Sequence, residues 1–124
     1  MFMNVLFFLK TNYQRGKVAE AIARIWLCLK GYSIRASRYR NFYGEIDLIV
    51  RKGQKLIAVE IKYRFSYKAA AESITWNQQQ RIERTLQAYL ATLPWKPEEI
   101  RFDVVLLSMT HLPKHLKNAW QKRN

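Results

Sequence analysis

The 124-residue chain has a single cysteine, Cys28, set in an apolar helical run. No disulfide framework and no cysteine-based zinc site can be assembled from it, and a reducing cytoplasm is the expected compartment. Acid is scarce as well: nine Asp and Glu stand against 22 Lys and Arg, for a net charge of +13. Such a chain repels itself unless a polyanion shares its surface. Nucleic acid is therefore the expected partner, and an anionic membrane surface or the ribosome would satisfy the same sign of charge. The apolar opening, residues 1–13, is shorter than the ~20 residues that span a bilayer. It has neither basic residues ahead of it nor a small-residue cleavage site behind it, so it is read as an N-terminal arm, with a signal-peptide-like segment as the alternative. No internal repeat or low-complexity linker divides the chain, and 49% hydrophobic residues suffice for one domain with one core.

What is present stands out against that background. Three of the nine acids, Glu45, Asp47 and Glu60, fall in residues 44–62, inside two runs of alternating Val, Ile and Leu. The runs predict two strands, and the polar Arg51-Lys52-Gly53-Gln54 between them predicts a hairpin turn. Side chains alternate along a strand, which puts Glu45, Asp47 and Ile49 on one face of the first strand and Leu56, Ala58, Glu60 and Lys62 on one face of the second. A two-residue loop sets Asp47 diagonally from Glu60 and a four-residue loop sets it directly opposite; either leaves the pair about 5–8 Å apart. Hard divalent cations prefer oxygen ligands and keep several waters, so Asp47 and Glu60 suit Mg²⁺ or Mn²⁺. Lys62, two residues from Glu60, could stabilise charge at phosphorus or help deprotonate water, which makes a phosphodiesterase arrangement. The same spacing also describes a solvated hairpin face with a cross-strand Lys–Glu pair, and spacing alone leaves both readings open.

The hairpin is flanked by recognisable elements. Val18, Ile22, Ile25, Trp26 and Leu29 recur at helical spacing over residues 15–29, and Lys30-Gly31 supplies a C-terminal stop. Glu20 on this helix is either an i, i+4 partner of Arg24 or a further carboxylate aimed at the site. Residues 32–38 predict a short strand beside the hairpin. Arg35, Arg38, Arg40 and Lys52, interleaved with Tyr39, Phe42 and Tyr43, suit phosphate contacts and base stacking, and Arg64 and Arg81 extend the set. Aromatic anchors beside a solvated basic face would explain the same residues. A second helix spans 75–93, with Thr75 as N-cap, an apolar stripe of Ile82, Leu86, Tyr89, Leu90 and Leu93, and a polar start at Gln78, Gln79 and Gln80. Pro94 and Pro97 end it, and residues 101–108 form a buried strand whose Asp103 is satisfied by a neighbour such as Arg101 or partners a helix side chain. Residues 109–124 are a basic extension. With no carboxylate or cysteine near them in sequence, His111 and His115 are expected on its surface.

The order Gly16-x-x-Ala19-Glu20, Gly44-Glu45-Ile46-Asp47-Leu48-Ile49, Val59-Glu60-Ile61-Lys62 and Arg101-Phe102-Asp103-Val104-Val105 resembles the small bacterial YraN family. That family is placed in the restriction-endonuclease-like superfamily, with its PD-(D/E)xK signature and a likeness to archaeal Holliday junction resolvases. The resemblance implies an α/β domain over residues 14–108 with an αβββαβ core, a mixed sheet flanked by helices. It also implies Asp47, Glu60 and Glu20 as metal-binding acids and Lys62 as the catalytic lysine. The chain departs from the family pattern at Gln78-Gln79, where a Lys precedes the Gln, at Tyr63, where Thr is usual, and in lacking a glycine after Arg64. A Mg²⁺- or Mn²⁺-dependent hydrolase of DNA, branched or processed, is the first reading. A non-catalytic nucleic-acid-binding protein and a ribosome- or membrane-surface protein are its rivals. DNA is the expected nucleic acid, a homodimer an allowed assembly, and no integral membrane segment is expected.

Overall fold

The computed structural model describes residues 12–108 and 111–121, with side chains from Gly16 onward. The apolar arm lies outside these residues apart from its last two, which begin the first helix. In chain order the elements are α1 (Asn12–Leu29), β1 (Ser33–Asn41), β2 (Gly44–Lys52), β3 (Lys55–Tyr63), α2 (Tyr67–Glu72), α3 (Trp76–Leu90), β4 (Glu99–Leu107) and β5 (Lys114–Trp120). The strands form one sheet in sequence order, antiparallel except for the parallel pair β3–β4, which α2 and α3 connect. This is the expected mixed α/β architecture with a fifth strand added. Among the described residues no helix is long and apolar enough to cross a membrane.

Two cores lie on opposite sides of the sheet. Beneath α1, the helix residues Ala19, Ala23 and Leu27 pack on Leu48, Val50, Ile57, Val59, Val105 and Leu107; on the other side Ile82 and Leu86 of α3 cover Ile49, Leu56, Ala58, Phe102 and Val104. The α1 stripe corrects the expected one, because Ile25 and Leu29 are 62% and 79% exposed. Small alanines at i and i+4 let the helix axis approach the sheet, and that contact decides which face is buried. The end of α1 follows its chemistry. Gly31 takes φ +91° and donates to Cys28 O while Tyr32 N donates to Leu27 O, the paired bonds of a glycine-terminated helix. Thr75 caps α3 by accepting from Gln78 N at 3.1 Å.

The C-terminal segment joins the sheet. Residues 114–120 form β5 on the sheet edge, with Val104 opposite Leu116 and Phe102 opposite Trp120. Its His115 is not a surface residue: the side chain is 1% exposed and its Nε2 lies 2.7 Å from Asp103 Oδ2. Arg101 binds the same carboxylate through Nε and Nη2, both at 2.8 Å, and also reaches Tyr32 Oη at 2.9 Å. Asn118 N donates to Asp103 Oδ1. Asp103 therefore joins the first turn after α1, β4 and β5 in one buried polar knot, and the expected Arg101 partnership is one strand of it.

Candidate active site

The β2–β3 hairpin turns on Gly53-Gln54, with Lys52 opposite Lys55, Leu48 opposite Val59, and Gly53 at φ +61°. A two-residue connection with glycine at its first central position matches the strand twist. This short loop nevertheless gives the register that sequence reading reserved for a four-residue loop: continued by one pair, it sets Asp47 directly opposite Glu60.

The backbone ladder stops at that pair. Glu60 Oε2 accepts from Asp47 N at 3.1 Å, and Asp47 Oδ2 accepts from Ile61 N at 2.8 Å. Each carboxylate thus takes an N–H of the facing strand where a carbonyl would ordinarily stand. Beyond it β2 keeps pairing with β1 as far as Gly44, while β3 keeps pairing with β4 as far as Tyr63. The two central strands part company here, and the acids stand at the fork.

Asp47 also marks a break in alternation. Ile46 packs on the α3 side and Leu48 on the α1 side, although residues two apart should share a face. Arg38, across from Asp47 on β1 between the pairs Ser37–Leu48 and Tyr39–Ile46, has φ +49°. A local kink through both strands turns Asp47 toward α1. It therefore lines a cavity of about 640 Å³ with Gly16, Ala19, Glu20, Arg38, Glu45, Ile61, Tyr63, Arg64 and Phe65. Glu60 stands on the α3 side of the fork, where Gln78 Nε2 donates to its Oε1 at 3.2 Å. The expectation of one shared face for Asp47, Glu60 and Lys62 is corrected to two acids meeting across a split.

Burial and mutual repulsion set the electrostatics. Glu60 is 4% exposed. Its carboxyl is pushed up to about 8, first by burial and then by the Asp47 charge, against the pull of Asp47 N–H, Lys62 and Gln78. Asp47 is raised by burial, with Glu45 and Glu20 adding and the Ile61 N–H and Lys62 opposing. A buried and a half-buried carboxyl that resist ionisation side by side, with Lys62 only partly offsetting their repulsion, are a suitable oxygen-donor set, since a hard divalent cation can be held through one or two carboxylates. Asp47 and Glu60 fit that requirement. Among the described residues no three His, Cys, Asp or Glu converge into a ready metal cluster. Glu20 stands across the cavity, 3.5 Å from Arg38.

The basic residues divide between two ends of the sheet. Arg38 and Arg64 line the cavity, Arg40 pairs with Glu45 at 2.7 Å, and the Cβ of Arg81 packs beside Gly44. Lys52 sits at the far end of the hairpin, its Nζ donating to Lys30 O at 3.0 Å and lying 4.8 Å from the Tyr32 ring. Arg35 is exposed on β1 toward that same end. Phe65 also stands on the cavity wall, and in the sequence nothing but its place beside Arg64 distinguishes it. Gly44 has φ +156°, and a Cβ there would meet Thr85 Oγ1 at 3.2 Å and Arg81 Cβ at 3.5 Å. Gly44→Ala is expected to cost about 1–3 kcal/mol, more than Gly53→Ala, where φ is positive but the space is open. Thermal melts of the two variants check that order.

The mixed sheet, the crossover through α3 and the forked hairpin make this an α/β protein with a restriction-endonuclease-like core. The sequence profile of the uncharacterised protein family UPF0102 matches residues 19–107. Relatives are UPF0102 proteins of Paramagnetospirillum magneticum, 43% identical over 87% of this chain and 88% of its own, and of Parvibaculum lavamentivorans, 43% identical over 88% and 83%. Another, of Bradyrhizobium sp. strain BTAi1, is 46% identical over 87% and 80%. The chain belongs to the UPF0102 family, the YraN family its motifs resemble.

Proposed function

We propose that this protein is a Mg²⁺- or Mn²⁺-dependent nuclease-like hydrolase of DNA phosphodiesters, with its site at the β2–β3 fork. The observation that carries the reading is the Asp47–Glu60 pair, Glu60 buried and Asp47 half-buried on the cavity wall, mutually repelling and each bound to the other's strand. Asp47 and Glu60 would hold the cation, which when bound supplies Lewis acidity toward phosphoryl oxygen and acidifies water. Lys62 lies close enough to lower both acids, and its Nζ is the donor for a phosphate oxygen at the same end of β3. Arg38 and Arg64 place positive charge on the cavity wall, where a nucleic-acid backbone would run. Gln78 orients Glu60 from the α3 side. Glu20, tied to Arg38, is an auxiliary acid that frees that arginine for phosphate when it turns away.

A second reading, nucleic-acid binding on this fold without cleavage, is favoured because among the described residues no three His, Cys, Asp or Glu group as metal ligands. Calorimetric titration with Mn²⁺ separates the two: the nuclease reading expects stoichiometric binding, and its absence would leave only the second. Both expect DNA affinity to fall steeply with salt. Four phosphate contacts, from Arg38, Arg40, Arg64 and Arg81, predict about a 100-fold loss between 50 and 200 mM salt by counterion release. A flat salt profile, or no binding at low salt, would remove nucleic acid as the partner.

A further inference from the structure

The turn joining β1 to β2 carries the most exposed large apolar side chain among the described residues, Phe42 at 96%, next to Tyr43 at 48%. Their rings touch only edge to face, 5.5 Å apart and at 89°. The turn beneath them is clamped. Tyr43 N donates to Asn41 Oδ1 at 2.9 Å, Asn41 Nδ2 donates to Thr85 O on α3 at 3.1 Å, and Gly44 closes against Thr85. A phenyl ring held out into water on a fixed turn gains nothing in the isolated protein and is poised to stack on something else.

The same end of the sheet presents a second such ring. Phe65 is 73% exposed on the wall of the cavity that Asp47 lines, beside Arg64 and across from Arg38. Arg40 and Arg81 flank the Phe42 turn. Cations interleaved with exposed aromatic faces are what single-stranded nucleic acid requires, since phosphates need charge and unstacked bases need a π-surface. A protein partner would also cover the rings, but the net charge of +13 and the four arginines select a polyanion. Continuous duplex offers no free base face, so its backbone can use the arginines and not the rings.

We infer that the fork end of the sheet takes DNA carrying unpaired bases, with Phe42 and Phe65 stacking on them and the arginines on the flanking phosphates. This rests on the nucleic-acid reading above and sets its substrate class: a tail, flap, gap or bulge in preference to continuous duplex.

Fluorescence anisotropy without divalent metal tests it, comparing a fully paired duplex with the same duplex extended by a single-stranded tail, both for the parent and for Phe42→Ala, Phe65→Ala, the two combined and the corresponding Trp variants. The tailed DNA is expected to bind the parent about 5- to 150-fold more tightly, from one well-stacked base. Each Ala variant should lose part of that preference and the double Ala variant nearly all of it while keeping duplex affinity, and the Trp variants should retain it. A 2-aminopurine in the tail should be quenched by the parent and not by the double Ala variant. Equal affinity of the parent for the two DNAs, or a preference untouched by both Ala changes, overturns this inference and leaves nucleic-acid binding standing. Failure of the parent to bind either DNA overturns both. The rings are solvent-exposed, so misfolding does not confuse the outcome, and unchanged melting temperatures verify that.

Discussion

Asp47→Asn combined with Glu60→Gln will raise the stability of the metal-free protein at alkaline pH and at the same time abolish Mn²⁺ binding and any DNA cleavage. The introduced amides keep the shape and the acceptors: the side-chain carbonyl at position 47 can still accept from Ile61 N, and the one at position 60 from the backbone N–H of position 47, while Gln78 can rotate its amide. What disappears is the charge. A carboxyl carried from 4.5 to about 8 resists ionisation by on the order of 5 kcal/mol at high pH, a ceiling that water entry and relaxation reduce. The sign follows from proton counting. Between about pH 4.5 and 8 the folded parent holds a proton on Glu60 that the unfolded chain has released, so the stability that Glu60 contributes is lost as pH rises through that window. The double variant has no such slope. Melts in a chelator from pH 5 to 9 should show the variant gaining on the parent, by roughly 2–4 kcal/mol at the alkaline end. Added Mn²⁺ should stabilise the parent alone, by mass action on the folded state. A variant less stable than the parent at every pH, with Mn²⁺ inert toward the parent, would make Asp47 and Glu60 structural ion-pair partners and end the catalytic reading.

The same chemical change at Asp103 is expected to do the opposite. Asp103 is fully buried and its carboxylate is tied to Arg101, His115 and the N–H of Asn118. Burial alone would raise its pKa; the bonds from His115, Arg101 and Asn118 outweigh burial and hold it below the usual carboxylate range. Lys30 Nζ, a donor only, lies 3.3 Å from His115 Nδ1, which assigns the ring proton to Nε2 facing Asp103. Asp103→Asn therefore leaves the Arg101 guanidinium, 9% exposed, without its counter-charge and presents His115 with a poorer acceptor. The loss should be about 3–5 kcal/mol, or roughly 10–20 °C in melting temperature, with hydrogen exchange rising first in residues 114–120 because the knot pins the edge strand. The parent keeps this stabilisation above the ordinary carboxylate value of 3.8 and loses it only as pH falls through the lower folded-state pKa. If Asp103→Asn melts with the parent and β5 exchanges no faster, the cluster is incidental to the fold. Opposite signs for isosteric amide changes at the Asp47–Glu60 pair and at Asp103 would separate carboxyls that repel each other from one that is matched by its cations.

Much of this was readable in the sequence because the determining interactions are local. The β2–β3 hairpin announces itself by alternation, α1 ends at Gly31 because only glycine takes φ +91° cheaply, and Thr75 caps α3 with its own hydroxyl. The nearness of Asp47 and Glu60 likewise follows from strand period at either loop length, although the directly opposed register with a two-residue loop does not. Three things were decided by tertiary structure. The face of α1 that is buried depends on how closely its alanines approach the sheet, and its outer Ile25 and Leu29 are as apolar as any inner residue, so composition could not rank the two stripes. The side of the sheet that Asp47 faces depends on a kink shared with Arg38 on a neighbouring strand, which no period within β2 reveals. His115 is buried because Asp103, 12 residues away in the chain, stands one strand over and offers its ring the carboxylate oxygen that Arg101 also binds. Local sequence sets dihedral preference and period, whereas the choice of face and of polar partner is made only when separate elements meet and every buried charge must find its counterpart.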